Sequence, residues 1–113
     1  MRGLLMLLAV PAGLGWAVPA ANADPVTYVN SVNVRPGFNF PSGDAAIAYG
    51  RGVCDKIAAG RGYAQIIGDI KVEVTNGDEG LANYLVGQVV NELCTELIGP
   101  LRDSAGNYRP GAQ

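Results

Sequence analysis

The chain contains no histidine and only two cysteines among its 113 residues. Without histidine, the Ser/His and Cys/His pairs that activate a nucleophile cannot form. Two cysteines alone cannot supply the four ligands of a Cys/His zinc site. The sequence also lacks a Walker A motif and a dinucleotide-binding glycine fingerprint. We therefore expect no catalytic residues, no cofactor and no metal, and a protein that is not an enzyme.

Charged residues are also scarce, at 16% of the chain, and the net charge is −2. Nucleic acids and anionic lipid surfaces bind clustered lysines and arginines. The basic residues here are scattered along the chain and form no run, among them Arg51, Lys56, Arg61, Lys71, Arg102 and Arg109. We therefore expect no nucleic-acid partner.

The N-terminal residues follow the order of a secretory signal peptide. A single basic residue, Arg2, precedes an apolar run over residues 3–10, and the small residues Ala21 and Ala23 precede Asp24. Signal peptidase requires small side chains one and three positions before the cut. The pattern predicts that residues 1–23 are removed by cleavage between Ala23 and Asp24.

An uncleaved membrane anchor is the alternative interpretation of this segment. Residues 3–21 are uncharged and approach the roughly 20 apolar residues that span a bilayer. Pro11 and Pro19, with two intervening glycines, weaken a helix there and favour cleavage. We expect residues 24–113 to be secreted or held in the cell envelope, with no stable membrane span after cleavage.

Both cysteines, Cys54 and Cys94, lie within the processed chain. An even cysteine count behind an export signal indicates a structural disulfide. Two free buried thiols are the alternative. A bridge over about 40 residues stabilises a chain by roughly 4 kcal/mol in the chain-entropy model.

Apolar residues recur at helical spacing in most of the processed chain. The end of the third segment also alternates as a strand would, but no other segment offers a strand to pair with it. Gly50 lies on the buried stripe of the second helix, which suggests a close helix crossing there. The first predicted helix begins at Pro25 after an Asp24 cap and ends before Arg35, and the second begins after Ser42 or Asp44 and ends near Ala59, before Gly60. The third runs from Gly62 to near Val74. The fourth begins near Asp78 and ends at Leu97 or Ile98, before Gly99 and Pro100.

These segments predict an all-α fold, a small bundle of three to four short helices with one inter-helix disulfide. Residues 24–102 form one helical domain. Residues 103–113, which include Gly106, Pro110 and Gly111, are predicted to be a disordered tail.

Two acidic pairs, Asp69 with Glu73 and Glu92 with Glu96, share a helix face at four-residue spacing. Such pairs can perform acid/base chemistry when burial separates their pKa values, although a solvated face is the simpler interpretation. Asn76, Asp78 and Glu79 could hold Ca²⁺ weakly, but their spacing does not match an EF-hand loop. Capping of the last helix by Asp78 explains these residues more simply.

The chain resembles a family of small exported mycobacterial proteins, that of domain of unknown function 732. The resemblance rests on Ala-Asn-Ala before Asp-Pro, on Asp44-Ala45-Ala46 leading through Gly50 to Cys54, and on a Leu/Val-rich helix that ends in Cys94. It covers about residues 24–94. It implies a compact helical domain of the exported or cell-envelope proteome with paired cysteines and no established activity. This chain differs by continuing well past Cys94 and by an aromatic loop over residues 35–41.

We expect a non-enzymatic binding or interaction module whose partner is a protein or a cell-envelope component; the sequence does not define its oligomeric state. Phe38, Phe40 and Tyr63 are candidate contact residues, although the simpler interpretation of the two phenylalanines is that they pack against the core. A carrier of a small apolar ligand or lipid is the alternative function. Its pocket would be lined by Ile66, Ile70, Leu85 and Val89, which could also be ordinary core residues.

Trp16 provides a test of the predicted cleavage, because it is the single tryptophan and lies within the predicted signal. Protein recovered from culture medium should therefore show tyrosine emission and no tryptophan emission. Tryptophan fluorescence from that material would show that residues 1–23 are retained.

Overall fold

The computed structural model describes residues 24–109, which are helical with no strand among them. The predicted all-α bundle is therefore confirmed, including a helix rather than a strand in the third segment. The predicted signal peptide, residues 1–23, lies outside the described residues. The helices are α1 (Pro25–Asn33), α2 (Gly43–Ala58), α3 (Tyr63–Glu73), α4 (Glu79–Glu92), a 3₁₀ turn (Thr95–Leu97) and α5 (Ile98–Ser104).

Side-chain caps begin three of these helices, as the sequence predicts. Asp24 accepts a hydrogen bond from the Thr27 N–H at 3.0 Å, and Pro25 occupies the first turn of α1. Ser42 and Asp78 cap α2 and α4 in the same way. Each cap satisfies a backbone N–H group that has no partner within its own helix. Gly60, with φ of +98°, follows the end of α2.

The chain after α4 differs from its prediction. The sequence predicts one helix from Asp78 to Leu97 or Ile98, but α4 ends at Glu92 and a fifth helix follows the 3₁₀ turn. Gly99 and Pro100, predicted to stop a helix, lie in the first turn of α5. Proline is tolerated there because the first N–H groups of a helix have no intrahelical acceptor.

Helix α4 lies at the centre of the bundle and packs against α1, α2 and α3. Its apolar face supplies the middle of the core, and α3 adds three fully buried isoleucines beside it. The buried residues of these two helices are Ala82, Leu85, Val86, Val89, Val90, Ile66, Ile67 and Ile70.

The close crossing expected at Gly50 is present. A Cβ atom on Gly50 would lie 2.5 Å from Leu93 Cδ1 and 3.0 Å from the Tyr28 hydroxyl oxygen. Tyr28 is fully buried and donates a 2.9 Å hydrogen bond to the Ala46 carbonyl oxygen. Three segments therefore meet at Gly50 with no room for a larger side chain.

Part of the segment predicted to be a disordered tail lies within the described residues and packs on the domain. Asp103 and Ser104 end α5, and the Tyr108 ring meets the Tyr63 ring edge-on with centroids 4.9 Å apart. Residues 110–113 lie outside the described residues. The domain therefore uses chain beyond the boundary at residue 102 that the sequence suggests.

Gly50→Ala should lower the free energy of unfolding by about 1–2 kcal/mol. The added methyl group overpacks the crossing, and this destabilisation should exceed the stabilisation from alanine's higher helix propensity. Gly52→Ala is the matched control two residues away, where an added Cβ meets nothing within 4 Å. That variant should be stabilised by up to about 1 kcal/mol. Urea unfolding of both oxidised variants measures the difference, and equal shifts in the same direction would contradict the crossing.

Candidate functional site

The disulfide predicted from the cysteine count joins Cys54 of α2 to Cys94, just beyond α4. The two Cα atoms lie 6.2 Å apart, and the residues are 40 positions apart in the sequence. Cys94 is only 3% exposed, and Cys54 packs at the edge of the core. A bonded and largely buried pair has neither a free thiol nor access for a substrate. The bridge is structural.

The two phenylalanines of the loop between α1 and α2 pack inward. Phe38 is 4% exposed, and its ring lies 6.2 Å from the ring of Tyr84 on α4. Phe40 is half-buried and lies 5.7 Å from Tyr49 on α2. Of the two interpretations of this loop, the structure shows aromatic side chains tucked against the core. Phe38 offers almost no surface to a partner in this arrangement.

Arg35 covers the outside of the same aromatic cluster. Its guanidinium carbon lies 4.0 Å from the centroid of the Tyr84 ring, which is cation–π geometry. The Tyr84 hydroxyl in turn donates to the Ser31 carbonyl oxygen at 3.0 Å. These contacts tie the loop and the end of α1 to α4, so the unusual aromatic content of the loop has a packing role.

The acidic pair on α3 forms ion pairs with basic residues. Arg61 contacts both carboxylate oxygens of Asp69, at 2.6 and 2.7 Å, and Lys56 approaches the same carboxylate at 3.2 Å. The Arg61 hydrogen bonds hold the pKa of Asp69 below its ordinary value. Glu73 accepts from the Tyr49 hydroxyl at 2.7 Å and lies 3.6 Å from Lys56. With its pKa lowered by Arg61, the Asp69 carboxyl is poorly suited to donate a proton.

The Glu92 and Glu96 pair and the acidic residues near Asp78 are not arranged for acid/base chemistry or Ca²⁺ binding. Glu92 ends α4 and Glu96 lies in the 3₁₀ turn, so the pair does not share one helix. Asp78 caps α4 as predicted, and Glu79 forms a 3.2 Å ion pair with Lys71. Within residues 24–109, no cluster of three His, Cys, Asp or Glu residues is arranged to hold a metal ion.

The residues proposed to line a carrier pocket are packed in the core. Ile66, Ile70, Leu85 and Val89 each have an exposed fraction of 0%. A side chain that bordered a void able to hold water would retain accessible surface. The interior is therefore solid at these four positions, as expected if they are ordinary core residues.

Tyr63 lies where α3, α4 and the end of the chain meet. Its hydroxyl donates to Asn83 Oδ1 on α4, and its backbone N–H donates to Ser104 Oγ at 3.0 Å. The side chain is half-buried, and burial raises the pKa of its phenol. Tyr63 borders an open cleft between α4 and α5, whereas Phe38 and Phe40 line a separate opening beside the end of α1.

This α4–α5 cleft has a volume of about 210 Å³ and combines an apolar floor with polar groups at its edges. Gly87 forms part of its wall on α4, and a Cβ atom added there would meet nothing within 4 Å. The lining residues are Tyr63, Asn83, Val86, Gly87, Val90, Asn91, Ile98, Leu101 and Arg102.

Sequence reasoning identifies Tyr63 in this cleft and misses its other polar members. Asn83 and Asn91 are exposed residues of an amphipathic helix, and nothing in their spacing distinguishes them from a solvated face. Arg102 borders the cleft only because α5 packs against α3, which the sequence pattern does not predict.

Comparison with known proteins identifies the family. The model of a family described as "Protein of unknown function (DUF732)" matches residues 21–96. The chain belongs to this family. The DUF732 match contains both bridged cysteines and α1 to α4, whereas α5 and Tyr108 lie beyond it. No curated protein and no solved structure gives a significant match. No helix within residues 24–109 is both long and apolar enough to cross a membrane.

Reduction of the Cys54–Cys94 bridge should lower the free energy of unfolding by about 4 kcal/mol, because the bridge restricts a 40-residue loop of the unfolded chain. Urea unfolding with and without reductant measures this loss. A Cys54→Ala, Cys94→Ala double variant serves as the control and should not respond to reductant. Two reactive thiols per chain in denatured, unreduced protein would contradict the bridge.

Proposed function

We propose that this DUF732 member is an exported, non-enzymatic interaction domain and that the α4–α5 cleft is its contact surface. The observation that carries the proposal is the placement of Tyr63. It borders an open cleft with polar edges, while Phe38 is buried and Phe40 packs on Tyr49. A solid interior at Ile66, Ile70, Leu85 and Val89 also favours surface contact over an internal ligand.

Export is supported by two features that do not depend on the cleft. The first 23 residues follow the order of a secretory signal, ending in Ala-Asn-Ala. The Cys54–Cys94 pair is positioned as a disulfide, and such bonds persist mainly in oxidising compartments. We infer that the domain acts outside the cytoplasm, either secreted or in the cell envelope.

A non-enzymatic role is supported by the pairing of the acidic groups. Asp69 is held by Arg61 and Lys56, and Glu79 pairs with Lys71. With no histidine in the sequence, no imidazole is available for acid/base work in the cleft. The residues around the cleft are suited to binding, since they offer hydrogen bonds and apolar contact.

The cleft lining indicates the chemistry of the ligand. Asn91 carries an amide that can both donate and accept hydrogen bonds, and Asn83, whose Oδ1 accepts from Tyr63, still has its amide N–H donors. The two residues lie eight positions, or about 12 Å, apart on α4. Arg102 adds a cation, and no acidic residue lines the cleft. We infer a ligand with hydroxyl or amide groups and a carboxylate, and we propose a cell-wall glycopeptide fragment as the envelope component bound.

Soluble muropeptides provide the probe for this proposal. Titrated into isotope-labelled protein, they should shift the backbone NMR signals of the α4–α5 cleft, with Gly87 and Asn91 among them. Gly87→Leu fills the open space of the cleft and should weaken binding at least about tenfold, because it displaces the ligand from its apolar floor.

Gly52→Leu is the matched control, since it adds the same side chain to α2 at a position where an added Cβ atom likewise meets nothing within 4 Å. This variant should bind as the unaltered protein does. Shifts confined to other faces of the bundle, no binding at millimolar muropeptide, or equal weakening in both leucine variants would refute the cleft as the contact surface.

A further inference from the structure

The first residue of the predicted processed chain lies against the C-terminal end of α4. The backbone N–H of Asp24 donates a hydrogen bond of 2.6 Å to the carbonyl oxygen of Glu92, the last residue of α4. This contact places the nitrogen that cleavage after Ala23 would release next to the carbonyl end of the central helix.

The last turn of α4 contains no positively charged side chain. The last carbonyl groups of a helix have no intrahelical donors and carry about half a unit of negative charge. Helices α2, α3 and α5 each have a basic residue in the last turn, namely Lys56, Lys71 and Arg102, whereas α1, like α4, has none. The last turn of α4 has no basic residue and ends in Glu92, whose carboxylate adds to the unfavourable charge.

We propose that removal of the signal peptide creates the cation that caps α4. Hydrolysis of the Ala23–Asp24 bond by a signal peptidase adds the elements of water. Ala23 leaves as a carboxylate on the released segment, and the nitrogen of Asp24 becomes an ammonium group at neutral pH. The inference rests on the proposed export and on cleavage at this bond.

The ammonium group is a stronger hydrogen-bond donor than the backbone amide present before cleavage. An amide offers the Glu92 carbonyl oxygen one neutral N–H, whereas an ammonium offers three charged donors. The Asp24 carboxylate is directed to the start of α1, where its two oxygens accept from the backbone N–H and hydroxyl of Thr27 at 3.0 and 2.6 Å. One residue therefore caps the start of α1 with its side chain and the end of α4 with its terminus.

This role links processing to stability at one place in the fold. Cys94 lies two residues beyond Glu92, so the disulfide and the new terminus both fix the C-terminal end of α4. Both groups form only after export, since disulfides persist in oxidising compartments and the signal is removed during secretion. The domain gains its full stability outside the cytoplasm.

Four forms of the oxidised protein test the proposal. Two begin at Asp24 and carry either a free or an acetylated N-terminus. Two carry a Gly-Ser-Gly extension, free or acetylated, which moves the ammonium up to about 10 Å from Asp24. Chains that begin at Asp24 retain every contact described for residues 24–109. Thermal unfolding is followed by circular dichroism at pH 6.5, where an α-amino group is protonated, in low salt.

Acetylation of the chain that begins at Asp24 should lower the unfolding midpoint by about 2–6 °C, because it removes a cation from a helix C-terminus. Acetylation of the extended chain should leave the midpoint unchanged. The difference should also shrink in 1 M salt, which screens exposed charges beyond about 3 Å. Equal midpoints for the two forms that begin at Asp24, or an equal loss in the extended pair, would overturn the proposal.

Glu92→Gln separates the backbone carbonyl from the Glu92 side chain as the partner of the ammonium. The acetylation effect should persist in this variant, and its disappearance would overturn the backbone cap. N-terminal sequencing of the exported protein tests the cleavage separately. A first residue other than Asp24 would refute the proposed processing, whereas the unfolding data on the four purified forms decide the cap itself.

Discussion

The burial of the apolar face of α4 is the constraint on which the rest of this bundle depends. Helices α1, α2 and α3 pack around this helix, and Leu85, Val86 and Val89 have at most 1% exposure. Each such burial contributes about 1.5–3 kcal/mol relative to an exposed side chain. Near the C-terminal end of α4, a Cβ atom added to Gly50 of α2 would lie 2.5 Å from Leu93 Cδ1. The disulfide and the Asp24–Glu92 hydrogen bond fix this same end.

A small domain that fills its interior has only its surface left for function. The aromatic loop after α1 is used for packing, through Phe38 on Tyr84 and Arg35 over the same ring. The α4–α5 cleft has polar side chains at its edges around a glycine wall. Since α5 lies beyond the segment matched by the family model, the contact surface proposed here depends on a part of the chain outside that match.

Processing and folding are connected in this proposal by the geometry of one residue. Asp24 contacts the ends of two helices. Its backbone nitrogen donates to Glu92 at the end of α4, and its carboxylate caps the start of α1. A terminus with this position has a structural role as well as being a product of secretion. The acidic end of α4, without a basic residue in its last turn, is the feature that makes the charge of that terminus matter.

The sequence by itself determined the local features of this protein. Asp24, Ser42 and Asp78 begin helices, Gly60 follows one, and the cysteine count indicates a bridge, because caps and helical periodicity depend on residues only a few positions apart. Tertiary structure alone decided that α4 ends at Glu92, that α5 folds back to form a cleft, and that Asp24 reaches α4. These outcomes depend on contacts between distant segments, whose packing free energy overrides the local pattern.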